Sequence, residues 1–224
     1  MRLGLIVVLL AVLSHPVGLA LGVPGLLPVL NAAPAYAAMV ILLRRGELRC
    51  AVFVMLAWAA ALAVAGTVTF AAWPQPPGPL ILHGPAYRDE MFAWIRTGAG
   101  SEGSPRLFVP QHALHLAAFV ALSLVTASAL SITMGAVLMN YMDFYVASLA
   151  RAGAPLWAVV LLGWQPWAMA RVAAFSVLGV VLAPLLLRRL GLIRTSAPSS
   201  RPFVLAAACL LLVDVALKTL LAPT

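Results

Sequence analysis

The stretch AVFVMLAWAAALAVAGTVTFAAW, residues 51–73, runs 23 residues without a charged side chain. A helix needs about 20 apolar residues to cross the hydrocarbon core of a bilayer. Within that core every backbone N–H and C=O must be satisfied internally, which leaves the helix as the economical solution. Residues 51–73 therefore read as a transmembrane helix, closed by Trp73 and the Pro-rich PQPPGP at an interface. Ala57, Ala61, Ala65 and Thr69 recur every fourth residue and predict a smooth face for close helix packing.

The rest of the chain follows suit. It is 64% hydrophobic and 9% charged, with a mean hydropathy of +1.06. A soluble domain is about half apolar and about a quarter charged, so most of this chain is solvated by lipid. The expected fold class is all-α: one integral membrane domain over residues 1–224, a polytopic helical bundle of six or seven spans. The net charge of +8 comes from thirteen Arg and one Lys against six acids. Most of the arginines punctuate the ends of apolar runs, as topology signals do. No basic stripe interleaved with aromatics is present, so nucleic acid is not an expected partner. Cys50 and Cys209 have no C-x-x-C spacing and are expected as small buried hydrophobes.

On the N-terminal side, LGLIVVLLAVLSHPVGLALG (3–22) and LLPVLNAAPAYAAMVILL (26–43) read as two spans joined by a tight turn at Val23-Pro24-Gly25. Ala20 and Gly22 would suit signal-peptide cleavage. The apolar character resumes at once beyond them, which favours an uncleaved span. RRGELR (44–49) is the densest basic cluster of this half. By the positive-inside rule it is cytoplasmic, and the N-terminus with it. Cytoplasmic loops are thus expected at about 44–50 and 188–202, and an external loop at about 74–111. Within that loop AYRDEMFAWIRTG predicts a short amphipathic helix, with Tyr87, Met91, Trp94 and Ile95 on one face and Gly98 as its stop.

Residues 112–150 contain no turn dipeptide. HALHLAAFVALSLVTASALSI is expected to span once. MGAVLMNYMDFYVASLA then spans back or lies at the interface, and PLWAVVLLGWQPW is interfacial or re-entrant. Two further spans follow, at 168–187 and 203–221, and the latter leaves the C-terminus outside.

Three groups of residues carry possible chemistry. In LFVPQHALHLAAF (107–119) Pro110 suits a helix start, which puts His112 and His115 on one face of the first turns. The positive end of the helix dipole disfavours imidazolium, and neutral imidazole is the metal-binding form. His83 and Glu90, with Asp89 and Glu102, lie in the same external region and would complete a ligand set. Zinc or copper fits such ligands better than calcium. The simpler reading is a polar helix rim, with Ser123, Thr126 and Thr133 continuing the stripe inward.

The second group is Asn140 and Asp143 in NYMDFY. If Asp143 is intramembrane it needs a partner, and Arg171 is expected to supply it, as a relay or as a structural pair. The third is His15-Pro16 with Asn31 and Pro34, where proline breaks free carbonyls or merely kink a helix. Asp214 and Lys218 read as an intrahelical pair, with Lys218 snorkelling outward.

No G-x-S-x-G, Walker A or Rossmann glycine pattern is present. Intramembrane charges and helix breaks spread along the chain put a transporter- or permease-like component, or a subunit of a membrane complex, first. A zinc- or copper-dependent membrane enzyme at the outer face comes second, and a non-catalytic assembly factor third. The expected partners are the lipid bilayer and other membrane subunits. No organellar transit peptide is evident, which points to a bacterial inner (plasma) membrane.

Overall fold

The computed structural model describes residues 2–98, 100–193 and 199–221. The described residues form helices and turns without a strand: α1 Arg2–Leu21, α2 Leu26–Arg44, α3 Leu48–Ala72, α4 Gly84–Thr97, α5 Pro105–Thr126, α6 Ala129–Arg151, the single turn α7 Leu156–Ala158, α8 Pro166–Arg189 and α9 Arg201–Leu221. Six of these helices (α1, α2, α3, α5, α8 and α9) are long and apolar enough to cross a membrane. Helix α6 has 23 residues and falls outside that set because it carries the bundle's internal polar side chains. It can carry them because α2, α3, α4, α5 and α8 surround it.

Side-chain contacts fix the helix directions. Gly4 of α1 meets Val54 of α3, and both helices run the same way. Arg151, at the end of α6, donates to the carbonyls of Phe70 and Trp73 at the end of α3. Ser128, at the start of α6, donates to the Gly179 carbonyl well along α8, and Asp214 of α9 meets Arg171 of α8. One end of the bundle therefore gathers Arg2, Arg44, Arg45, Arg49, Arg188, Arg189 and Arg201. The other, here the loop end, carries α4, the connections at 73–104 and 152–165, and the end of α9.

Several boundaries differ from the sequence expectation. The run over 112–150 is two helices, broken at Ala127 and Ser128, both left-handed (φ 51° and 71°). The turn lacks Gly, Pro and Asn, so no local signal marks it. It is held instead by the bonds from Ser128 Oγ to Gly179 and from Ser123 Oγ to Ser131 Oγ. Helix α5 starts at Pro105 behind Ser104, not at Pro110, so the connection between α3 and α5 ends at 104. His112 and His115 consequently lie deeper than a rim. Helices α1 and α2 continue through Pro16 and Pro34. Residues 156–163 form α7 and a π-turn, with Leu156, Trp157, Val160 and Leu161 exposed. Cys50 and Cys209 are exposed rather than buried, on the outer surface where lipid replaces water.

Helix α4 ends at Gly98 (φ 68°), whose N–H bonds the Trp94 carbonyl. Met91 and Trp94 are buried and Tyr87 packs beside them, whereas Ile95 is exposed. The expected small-residue face of α3 is displaced. Ala57 is exposed, and the buried stripe runs through Met55, Trp58, Leu62, Gly66 and Phe70.

Gly66 sets the closest approach. A Cβ there would collide with the Asp143 carboxyl and come within 2.8 Å of His15 Nε2. Gly135 of α6 is the opposite case, because a Cβ there meets nothing within 4 Å. Gly135→Ala is therefore expected to stabilise by about 1 kcal/mol from helix propensity, and Gly66→Ala to destabilise by about 1–3 kcal/mol from overpacking. Thermal unfolding of the two variants in one detergent checks the opposite signs.

Candidate functional site

Two polar assemblies lie within the loop-end half of the bundle, on either side of α6. The first joins α1, α2, α3 and α6. Ser14 Oγ donates to the Ala11 carbonyl (2.7 Å), Asn31 Nδ2 to Ser14 Oγ (2.7 Å), and Asn140 Nδ2 to Asn31 Oδ1 (3.0 Å). Asn140 Oδ1 is then the acceptor left for His15 Nε2, at 3.3 Å. Each bond fixes the direction of the next, so the chain assigns the His15 proton to Nε2 and leaves Nδ1 as an acceptor. Asp143 stands beside this chain. Its Oδ1 accepts from Thr67 Oγ1 (3.2 Å), which itself accepts from Trp164 Nε1 (3.3 Å). Asp143 Oδ2 and His15 Nδ1 are buried without a hydrogen-bond partner among the described residues. His15, Asn31 and Asp143 are each 0% exposed. His15 and Asp143 lie six and eight residues from the loop ends of their helices, about 9–12 Å at 1.5 Å per residue.

The second assembly joins α5, α8, α9 and the turn at Ser101–Gly103. Arg171 Nε and Nη2 hold Asp214 in a two-bond pair at 3.0 and 3.1 Å. His112 Nδ1 lies 3.5 Å from Asp214 Oδ2, and Lys218 Nζ lies 3.5 Å from His112 Nε2. Lys218 is fully buried, 2.6 Å from Glu102 Oε2 and over the Phe108 ring. The expected Asp143–Arg171 partnership is thus replaced: α6 turns Asp143 towards α3, while Arg171 faces α9. Nor is Asp214–Lys218 the pair expected from their spacing, since each finds a partner on another element. Lys218 is covered by Glu102 and does not snorkel. Of the buried residues of α9 in the described structure (Ala207, Asp214 and Lys218) two are ionic.

A cavity of about 80 Å³ begins at this second assembly and runs between α3, α5, α6 and α8. Its loop end is polar, with Glu102, Gln111, His112, His115, Tyr141 and Arg171. Deeper in, Met55, Trp58, Phe119, Ile132 and Phe175 make it apolar. From His112 to Phe119 the change takes seven residues, about 10 Å of helix. Tyr87 of α4 also lines the polar end. Burial, reinforced by the nearby Glu102 carboxylate, pushes its phenol well above the ordinary range, so it is present as a neutral hydroxyl.

The histidines and acids expected around a metal are dispersed. His112 and His115 both line the cavity. His83, left-handed at the start of α4, packs edge-on against Tyr141, and Glu90 lies on α4. Among the described residues no three His, Cys, Asp or Glu side chains are placed to hold one metal ion. The inward stripe is satisfied within protein, since Ser123 bonds Ser131 while Thr126 and Thr133 bond carbonyls of their own chain. Four of the five intramembrane residues singled out from sequence (His15, Asn31, Asn140 and Asp143) do come together, and Arg171 goes to the cavity. Trp58, Glu102 and Tyr87 carry no sequence signal for the parts they take.

No family model, curated protein or solved structure matches the chain. The six apolar helices make it a membrane protein.

Proposed function

We propose that this protein is a transporter- or permease-like component that admits an amphiphilic, lipid-like molecule between α3, α5, α6 and α8, where the cavity marks the path and the helices part to take the rest of it. The observation that carries this reading is the change of lining along one continuous space. A polar head meets Arg171, Glu102, His112 and His115, and an apolar tail meets Phe119, Ile132 and Phe175. The polar end offers both donors and acceptors, and Arg171 keeps N–H groups beyond the two given to Asp214. Such lining suits a small polar or zwitterionic head better than a highly charged one. Recognition by an apolar pocket with a few convergent polar groups is the general pattern of ligand sites.

In this reading the arginine-rich end is cytoplasmic, because positive charge is retained on that side. The loop end and the C-terminus then face outward, as in a bacterial inner membrane. The exposed apolar turn at 156–163 lies against lipid or against another subunit of a complex.

The test uses a lysophospholipid with a diazirine at the end of its chain. Photolysis in proteoliposomes is expected to label peptides bearing Phe119 and Ile132, both nearly inaccessible from outside. Labelling restricted to outward side chains such as Leu205 and Leu212 would remove the amphiphile reading.

A further inference from the structure

Helix α6 separates the cavity from the buried network and takes part in both. Met139 and Met142 line the cavity, while Asn140 and Asp143, one residue further along in each case, join the network. Trp58 bridges the two: its ring lines the cavity and its Nε1 donates to the Asn31 carbonyl at 2.9 Å. On the network side Asp143 has no cation within ion-pair distance among the described residues. The described ion pairs engage Asp89, Asp214 and Glu102 instead.

The groups that face Asp143 can be named by element. Helix α1 presents His15, α3 presents Gly66 and Thr67, and the segment before α8 presents Trp164. Helix α2 reaches the same network through Asn31. Arg151, two turns along α6, is committed to the Phe70 and Trp73 carbonyls, and Arg88 of α4 lies over the Phe144 ring. An ionised carboxylate left unpaired in such a place costs many kcal/mol, and neutralisation is the usual outcome. A hard cation needs several oxygen ligands in reach, whereas Oδ2 lies beside the Gly66 backbone with no hydrogen-bond partner among the described residues. The chemistry that fits is one proton.

We propose that Asp143, with His15 beside it, is a proton-binding site set behind the wall of the cavity. Binding makes one O–H bond at Asp143 Oδ2 and neutralises the carboxylate; release returns the proton to water and leaves the carboxylate. His15 faces the same Gly66 position as Oδ2 and is held there by its bond to Asn140. A ligand that displaces Met139, Met142 or Trp58 moves the helix and the indole on which the proton site rests. The site depends on the amphiphile reading only for what the proton would be coupled to. Its own existence is measured without any lipid probe.

The experiment is infrared spectroscopy of the detergent-purified full chain labelled with 13C-aspartate, between about pH 5 and about pH 9, a range well above the ordinary aspartate pKa. Three aspartates are present, and Asp89 and Asp214 are both paired with arginine. The expected result is one protonated aspartate carboxyl per chain at neutral pH that shifts in D2O. Asp143→Asn, which keeps the acceptor for Thr67, removes it; His15→Phe shifts its frequency; Asp89→Asn, at the exposed pair with Arg88, leaves it in place. A spectrum with every aspartate ionised across the range overturns the proposal. A carboxylate signal that moves when sodium replaces choline overturns it too, in favour of an alkali cation. A wild-type spectrum without a protonated band overturns the proposal with no variant needed, and a band that is present is assigned by comparing Asp143→Asn with Asp214→Asn. Loss of lipid labelling with the carboxyl band retained would instead count against the cavity reading alone.

Discussion

Arg171→Met is expected to destabilise the protein by about 3–5 kcal/mol, the effect of leaving a buried carboxylate without its partner. Asp214 is 1% exposed, and its two-bond pair with Arg171 ties α9 to α8, beside the tie from Lys218 to Glu102. Among the described ion pairs His112, at 3.5 Å, is the other partner within reach of Asp214. Removing both charges, as Arg171→Met with Asp214→Leu, is expected to recover most of the loss, since paired burial and apolar replacement are often of similar stability. Thermal unfolding of the single and double variants in one detergent measures this as a double-mutant cycle. A double variant no better than Arg171→Met would mean that the two residues act separately.

The second large effect concerns the cavity. Gly135→Trp places an indole where no atom lies within 4 Å of the new Cβ, on a face of α6 that lines the space between Phe119 and Met139. An indole there is expected to narrow the passage from the polar to the apolar end. Lysophospholipid labelling of the Ile132 peptide is expected to fall by about tenfold or more, which corresponds to about 1.4 kcal/mol or more of binding. The unfolding temperature should change little, and Gly135→Ala should label like the wild type. Equal labelling in Gly135→Trp and wild type would show that the tail does not lie along α6.

The polar residues illustrate how far reading along the chain reaches. His15, Asn31, Asn140 and Asp143 stand out because polar groups in apolar runs must face protein or water. Their convergence is a different matter. It depends on Gly66, which lets α3 approach α1 and α6 closely enough for His15 and Asp143 to share one pocket. The partners of Arg171 and Lys218 were mistaken for the same reason. Spacing along one helix ranks neighbours by sequence, but Asp214 and Lys218 each bond across to a different element. The turn at Ala127-Ser128 was likewise invisible, because its hydroxyl partners lie on α6 and α8 rather than beside it in sequence.

The all-helical membrane class and close estimates of most of the long helices were legible along the chain, and the polar residues within apolar runs could be listed from it. These follow from local quantities: apolar run length and the cost of placing a polar group in hydrocarbon. The central place of α6, the Arg171–Asp214 pair, and the cavity on one face of α6 with a buried carboxyl on the other emerge from the packing of the helices. Those depend on which helix faces meet, and in lipid that choice is made by packing shape and interhelical hydrogen bonds, since hydrophobicity no longer distinguishes one apolar face from another.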